Sequence, residues 1–377
     1  MDVLSSRYSY YVLFRSHFLS TYAPTAVICL SKVNGGMELA AVKIARLLSE
    51  DMPVHFISRA GGFIAQEKES HFSDYNITLH TLKFSSNLGL ALIFQSRKFF
   101  KTLGIKNVIF LGASEMKSLY FATRGLDINF VIRQGSRKST PKTDAFHTLL
   151  YSDVNTFVGN CEFIRENIQE IIPLAAKTEL TRIYASLQLQ DLQRKPKENK
   201  RLELISVGRI NPVKGQLHSI IACEVLYTEG IDFRLQLLGD VQDESYHQEI
   251  IRFLETCPYK ENIVFVGYTD NVPSYLVKSD IFLFPTQGEG MSNAVIEALG
   301  YGLVPIIFNN SSSPEFVSLG FHLHLVEDGN VKAFSTALLT TAKNFTQEQK
   351  SVDANMRLAR STFSPEREKK EYLALLK

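Results

Sequence analysis

The stretch IFLFPTQGEGMSNAVIEALGYG, residues 281–302, changes its periodicity halfway along. IFLFP is a short apolar run of strand type, whereas SNAVIEALGYG carries Ala294, Ile296 and Leu299 at helical spacing. A glycine turn lies between them, so the segment reads as strand, turn, helix, the repeating unit of an α/β fold. Glu289 falls in the turn and Glu297 about two turns into the helix. Ser292 or Asn293 is placed to cap the first free amides. Gly290 lets a backbone come close to whatever sits above that helix start. Helix starts favour anions, because free N–H groups and the dipole both point outward there. Two acids beside such a site suit a ligand with hydroxyls as well as phosphate, since carboxylates accept hydrogen bonds from sugar hydroxyls. A sugar nucleotide is such a ligand. Taken alone, the two glutamates read equally well as a solvated turn residue and a helix-surface acid.

The same alternation runs through the chain. AVICLS (26–31), VHFIS (54–58), NVIFLG (107–112), NFVIR (129–133) and TFVGN (156–160) are strand-like, with amphipathic helical stretches between them. LELISVG (202–208), FRLQLLG (233–239), NIVFVG (262–267), IFLFP (281–285) and VPIIF (304–308) repeat the order. Parallel sheets covered by helices follow from that order. The polar segment 187–201 reads as a linker between two domains. The spans expected are 1–190, 191–355 and a terminal helix within 356–377 that could pack back on the first domain, capped at Ser364 with Pro365 at its first position. AVICLSKVNGGMELAAVKIARLL and LELISVGRINPVKGQLHSIIACEVL are each strand, glycine-containing loop, helix. Two such units facing one another would bind a ligand at the C-terminal ends of their strands.

At 377 residues, 45% apolar and 21% charged, the chain has the size of about two globular domains. Cys29, Cys161, Cys223 and Cys257 are scattered, with no C-x-x-C pair and no histidine at metal spacing beside them. That argues against a disulfide framework or a zinc site, fits a reducing cytosol, and leads to an expectation of no bound metal. Residues 1–24 hold only the short apolar run YYVLF, neither signal peptide nor membrane span. Charge is uneven: residues 1–190 carry 21 Lys plus Arg against 15 Asp plus Glu, and residues 191–377 carry 20 against 24. The basic stretches SRKFFKTLGIK (96–106) and VIRQGSRKSTPK (131–142) could meet an anionic lipid surface or an acidic acceptor, or could be a solvated face. No nucleic-acid recognition motif accompanies them.

Neither strand-end loop is G-x-G-x-x-G or G-x-x-x-x-G-K-[ST], so hydride transfer to a nicotinamide and P-loop phosphoryl transfer lose their usual support. VGRINPVKG supplies two cations instead, Arg209 and Lys214, in front of the edge from which EGMSN also emerges. A guanidinium, an ammonium and a helix start could neutralise a diphosphate and stabilise charge building on a departing one. Either residue alone would pass as a loop surface charge.

GRINPVKG (208–215), GEGMSNAVIEALGYG (288–302) and the following VPII resemble the donor half of the retaining glycosyltransferases of family 4. Weaker matches are NGGME (34–38), LGD (238–240) and VGY (266–268), and the resemblance covers most of the chain. Residues 110–155 also resemble members that build bacterial lipopolysaccharide or surface polysaccharide. The resemblance implies the GT-B fold, α/β with two Rossmann-like domains whose parallel sheets face a central cleft, an N-terminal domain for the acceptor and a C-terminal one for the donor. It implies a hexosyl-type transfer from a nucleoside diphosphate sugar to a saccharide or glycolipid acceptor. No metal or other cofactor is implied, because cations of the protein take a metal's place. The setting implied is cytoplasmic, or peripheral on the cytoplasmic face of the inner membrane. By this similarity Arg209 and Lys214 would hold the donor diphosphate, Glu297 the ribose hydroxyls and Glu289 the transferred sugar. The amides of Gly290, Met291 and Ser292 would seat sugar and phosphate, and Gly35 and Gly36 would close over the phosphates. Domain closure would then assemble the site.

One departure stands out. Relatives commonly carry a histidine in a pattern like R-H-G-T, and here the segment is Arg133, Gln134, Gly135, Ser136. Glutamine can bond a hydroxyl but holds no positive charge. His147 could point back to the site, and Glu115 and Lys117, past a strand end, could meet the acceptor. Two alternatives to transfer follow: a weak or inactive relative that only binds the sugar nucleotide, or a nucleotide-sugar epimerase on the same architecture.

Overall fold

In the computed structural model the described residues are 22–377, except 188, 189, 191 and 193–200. The reading of the N-terminal stretch and most of the linker reading lie outside them. The chain forms two parallel sheets with helices between the strands. The first holds β1 (Thr25–Cys29), β2 (Val54–Arg59), β3 (Ile77–Leu82), β4 (Asn107–Leu111), β5 (Asn129–Gln134), β6 (Thr156–Gly159) and β7 (Glu179–Arg182). Their spatial order is β3-β2-β1-β4-β5-β6-β7. The second holds β8 (Leu202–Val207), β9 (Phe233–Leu238), β10 (Ile263–Gly267), β11 (Ile281–Phe284), β12 (Val304–Asn309) and β13 (His324–Glu327), ordered β10-β9-β8-β11-β12-β13. Central strands are fully buried, as in β1, β4 and β11, because helices cover both faces of a parallel sheet.

Three strands escaped the sequence reading: β3, β7 and β13. Each lies at an edge of its sheet and is only partly buried, so ITLHTL, ELTR and HLVE carry polar residues where a central strand carries apolar ones.

By its contacts the chain divides into two compact units, and the division falls inside β5. One unit holds the described residues up to 132 with 152–155 and 372–377, and the other holds 133–151 and 156–371. In the first unit Asn107 and Asn129 fix the chain end. The Asn129 side chain donates to the Leu375 carbonyl at 2.6 Å, and the Lys377 N–H donates to Asn107 Oδ1 at 2.9 Å. The terminal helix, Pro365–Leu373, begins in the other unit, where Ser364 Oγ accepts from the Arg367 N–H at 3.1 Å.

The second unit's core runs through Leu235, Leu283, Ile306 and Phe308, covered by Ile220, Phe334 and Leu338. Helix Val331–Lys343 is set by Asn330, whose side chain accepts from the Ala333 N–H at 2.9 Å. Its Phe334 meets Phe308 edge-on, with ring centroids 5.2 Å apart. Phe308→Ala empties a fully buried volume. It should cost this unit about 3–5 kcal/mol in urea unfolding followed by circular dichroism. Val317→Ala, at a position 48% exposed, should stay within about 0.5 kcal/mol. Equal losses would show that the core has been misassigned.

Candidate functional site

The site is built on two neighbouring strands. β8 and β11 pair in parallel, with Ile281 opposite Leu204 and Phe282 opposite Ile205, so their following loops leave the sheet at one end. Those loops are tied together: the Val213 carbonyl accepts from the Gln287 N–H at 2.8 Å and from the Thr286 hydroxyl at 3.0 Å. Asn211 caps the single turn Pro212–Lys214 by accepting from the Lys214 N–H at 3.1 Å. Gly215 then turns with φ +68°, where a Cβ would stand 2.2 Å from the Pro285 carbonyl oxygen. Only glycine satisfies both the backbone angle and that approach.

The result brings Lys214 to Glu289, and the two side chains form an ion pair. Both are largely covered, at 17% and 28% exposure. The Lys214 ammonium also lies 5.4 Å from the centre of the Phe284 ring. Burial, with the nearby Arg209 guanidinium second, pulls the Lys214 amine down from 10.5 to about 8, against the attraction of Glu289. Arg209 itself is exposed, and its carbonyl accepts from the Gln216 side chain at 3.0 Å. Two cations near one another, one of them under cover and paired to Glu289, favour an added anion.

The turn 288–292 continues into helix Asn293–Gly300. Ser292 occupies the cap position, but its side chain makes no capping bond, and this corrects the expectation that Ser292 or Asn293 would cap the free amides. Met291 and Ser292 are buried. Glu297 is the fifth residue of the helix, just over one turn in rather than two, and half-buried. Gly290 faces two groups that the sequence did not point to: a Cβ there would lie 2.6 Å from the Gly135 carbonyl oxygen and 3.2 Å from the Asn160 amide. Asn160 donates to that carbonyl at 3.2 Å, while its Oδ1 is buried without a hydrogen-bond partner. Arg133, 6% exposed, likewise has its Nε unpartnered.

Other expected residues take different places. The Gln134 amide donates to Asn167 Oδ1 at 3.1 Å, and the same oxygen accepts from the Lys138 N–H at 2.8 Å. Gln134 therefore braces helix Glu162–Ile171. His147 lies 2.5 Å from Asp144 across one helical turn, and this holds the Asp144 carboxyl below its ordinary range. That contact makes His147 part of a helix start. Glu115, Lys117, Gly35 and Gly36 belong to the other unit. There Gly35 precedes helix Gly36–Ser49, and Glu115 precedes helix Met116–Thr123 without a side-chain cap. Glu38 and Glu115 both lie near the buried Cys29 thiol, which burial above all pushes up to about 12.

Glu315 also escaped the sequence reading. Its two carboxylate oxygens each accept from the Glu162 N–H at 2.9 Å, and one of them accepts from the Tyr184 hydroxyl. A lone glutamate 153 residues from its partner leaves no local pattern to find.

Residues 188–357 match the family model of glycosyl transferases group 1. The capsular polysaccharide biosynthesis glycosyltransferase CapH of Staphylococcus aureus is 26% identical over 78% of this chain and 85% of its own length. The N-acetylgalactosamine-N,N'-diacetylbacillosaminyl-diphospho-undecaprenol 4-alpha-N-acetylgalactosaminyltransferase of Campylobacter jejuni is 24% identical over 74% of this chain and 79% of its own. Among solved structures, that of Anabaena HepE in complex with UDP superposes with a TM-score of 0.78 at 15% identity, covering 93% of this chain and 98% of that one. The fold is GT-B-like. Residues 188–357 are thus a glycosyl transferases group 1 domain, and along most of its length the chain is similar to glycosyltransferases of bacterial surface polysaccharide.

Proposed function

We propose that this protein transfers a hexosyl-type sugar from a nucleoside diphosphate sugar, with retention of configuration and without a metal ion, to a saccharide or glycolipid acceptor in the building of bacterial surface polysaccharide. The observation that carries the reading is the covered Lys214 ammonium, paired to Glu289 and near the exposed Arg209 guanidinium, at the end of two adjacent parallel strands. A diphosphate satisfies those two positive charges, and as the glycosidic bond breaks they stabilise the charge growing on the leaving group. Glu297 takes the ribose hydroxyls, Glu289 a hydroxyl of the transferred sugar, and the amides of Gly290, Met291 and Ser292 the remaining oxygens. Retention has the acceptor oxygen attack from the face that the diphosphate leaves, while its proton passes to a phosphate oxygen. The HepE structures, with UDP and UDP-glucose bound, favour a UDP-sugar as donor. The name of the Campylobacter jejuni relative favours an acceptor carried on a lipid diphosphate. No helix among the described residues is long and apolar enough to cross a membrane. An acceptor of that kind would bring the protein to the cytoplasmic face of the inner membrane, held peripherally.

The second reading is a relative that binds the donor but transfers poorly. What favours it is Gln134, whose amide is engaged with Asn167 where family members commonly offer a histidine.

Calorimetry with UDP and UDP-sugars, followed by transfer assays on lipid-linked acceptors, separates the two. Lys214→Ala should lower the turnover by about 10²–10³-fold. Glu297→Ala should weaken UDP binding at least about tenfold, the loss expected for a charge-assisted contact. EDTA should leave UDP binding and turnover unchanged in the wild type and in both variants. UDP binding without any turnover would favour the second reading, and no binding of any nucleotide would overturn both.

A pH dependence follows from Lys214. Its amine is charged below about 8 and neutral above it, while a nucleoside diphosphate is fully ionised throughout that range. UDP affinity should therefore fall as pH rises from 7 through 9, and Lys214→Arg, which stays charged, should flatten the profile. The same shift acts on folding. The amine sits below its ordinary 10.5 in the folded protein, so the unfolded chain binds more protons between about 8 and 10.5 and the wild type gains stability over Lys214→Met across that window. A flat wild-type binding profile would remove Lys214 from the phosphate site.

A further inference from the structure

His322 and His324 stand two residues apart on extended chain at the beginning of β13, an arrangement that turns both imidazoles to the same side. Their ring centroids are 5.6 Å apart. Glu348, from helix Phe345–Thr362, gives one carboxylate oxygen to each ring: Oε2 lies 2.8 Å from His322 Nε2, and Oε1 lies 3.2 Å from His324 Nε2. All the candidate ligand atoms fall within 4.8 Å of one another. Around a tetrahedral zinc ion with bonds near 2.0–2.1 Å, neighbouring ligand atoms sit about 3.3 Å apart. The three groups are close to that spacing before any ion enters.

The cluster is held in place from behind. Asn355, itself 3% exposed, accepts from the His322 N–H at 2.9 Å and donates to the His322 carbonyl at 2.7 Å. Asn355 lies seven residues after Glu348, about two helical turns, so clamp and carboxylate share one face of the helix. The Glu348 side chain is 12% exposed, which requires a positive partner. Although His324 Nε2 is 3.2 Å from that carboxylate, it is buried and makes no aligned hydrogen bond. A proton or a metal ion can bridge that nitrogen and the carboxylate, and the second imidazole on the same carboxylate favours the ion. Two imidazoles and one carboxylate suit zinc better than calcium or magnesium, which prefer all-oxygen sites.

We propose that His322, His324 and Glu348 bind one zinc ion, with water at the fourth position on the half-exposed side of His322. The ion joins the edge strand β13 to helix Phe345–Thr362 and so fastens an edge that backbone pairing secures on one side only. It takes no part in sugar transfer. His324 pairs with Ile306 toward the beginning of β12, whereas the loops bearing Lys214 and Glu289 follow the far ends of the parallel strands. A zinc site here is therefore compatible with transfer that needs no metal.

The test uses tag-free, full-length protein stripped with EDTA and then titrated with zinc, with metal content measured after dialysis. One zinc per chain should be retained, the melting midpoint should rise by several degrees, and cobalt in its place should give the visible absorption of a tetrahedral ion. His324→Ala and Glu348→Gln should each weaken zinc binding at least about tenfold. His322→Ala, at a half-exposed position that folding does not need, should do the same with the unliganded midpoint unchanged. UDP affinity should be equal with and without zinc. Absence of retained zinc, or variants that bind it as the wild type does, would overturn the assignment.

Discussion

One carbonyl oxygen organises the loops at the end of the second sheet. Val213 offers it, and it takes hydrogen bonds from both Gln287 and Thr286, at 2.8 and 3.0 Å. Two loops that are far apart in sequence thereby become one surface. Parallel pairing of β8 and β11 brings the loops to the same end of the sheet, but pairing alone would leave them free to diverge. The tie and the left-handed Gly215 beside it set where Lys214 starts, and the ion pair with Glu289 follows. A larger residue at 215 would push against Pro285 and loosen all of these contacts together.

The electrostatics follow from that arrangement. A covered ammonium is costly, and Lys214 lowers the cost through its carboxylate, the face of Phe284 and a reduced affinity for its proton. Arg209 works in the opposite direction, because its charge makes that of Lys214 harder to hold. Such a pair is poised for an anion. The His322, His324 and Glu348 cluster, at the other end of the sheet, has the reverse character, with a covered carboxylate that calls for a cation. The domain thus keeps anion and cation chemistry on opposite rims.

Much of this could be read in the sequence. Central strands are mostly apolar because both faces are covered, so all nine of them announce themselves, as does the edge strand β10. The three that did not are edge strands, where polar residues are allowed and the alternation blurs. The convergence of the Lys214 and Glu289 loops was legible because each follows a strand of the same sheet. Asn160, Glu315 and the two histidines beside Glu348 were not, since each acts through a partner far away in the chain. Gln134 and His147 show the converse: their positions suggested a ligand, and nearby Asn167 and Asp144 satisfy their side chains.

The central claim is that a donor diphosphate takes over Lys214 from Glu289. A double-mutant cycle on UDP affinity, with Lys214→Met, Glu289→Gln and the double variant, tests it most directly. If the two residues share one charge network, the effects are non-additive, with a coupling of about 0.5–3 kcal/mol, and Lys214→Met costs more when Glu289 no longer competes for the ammonium. Effects that add to within about 0.5 kcal/mol would contradict the claim. Lys214 and Glu289 would then be contacts made independently, and the tie at Val213 would position loops rather than a charge network.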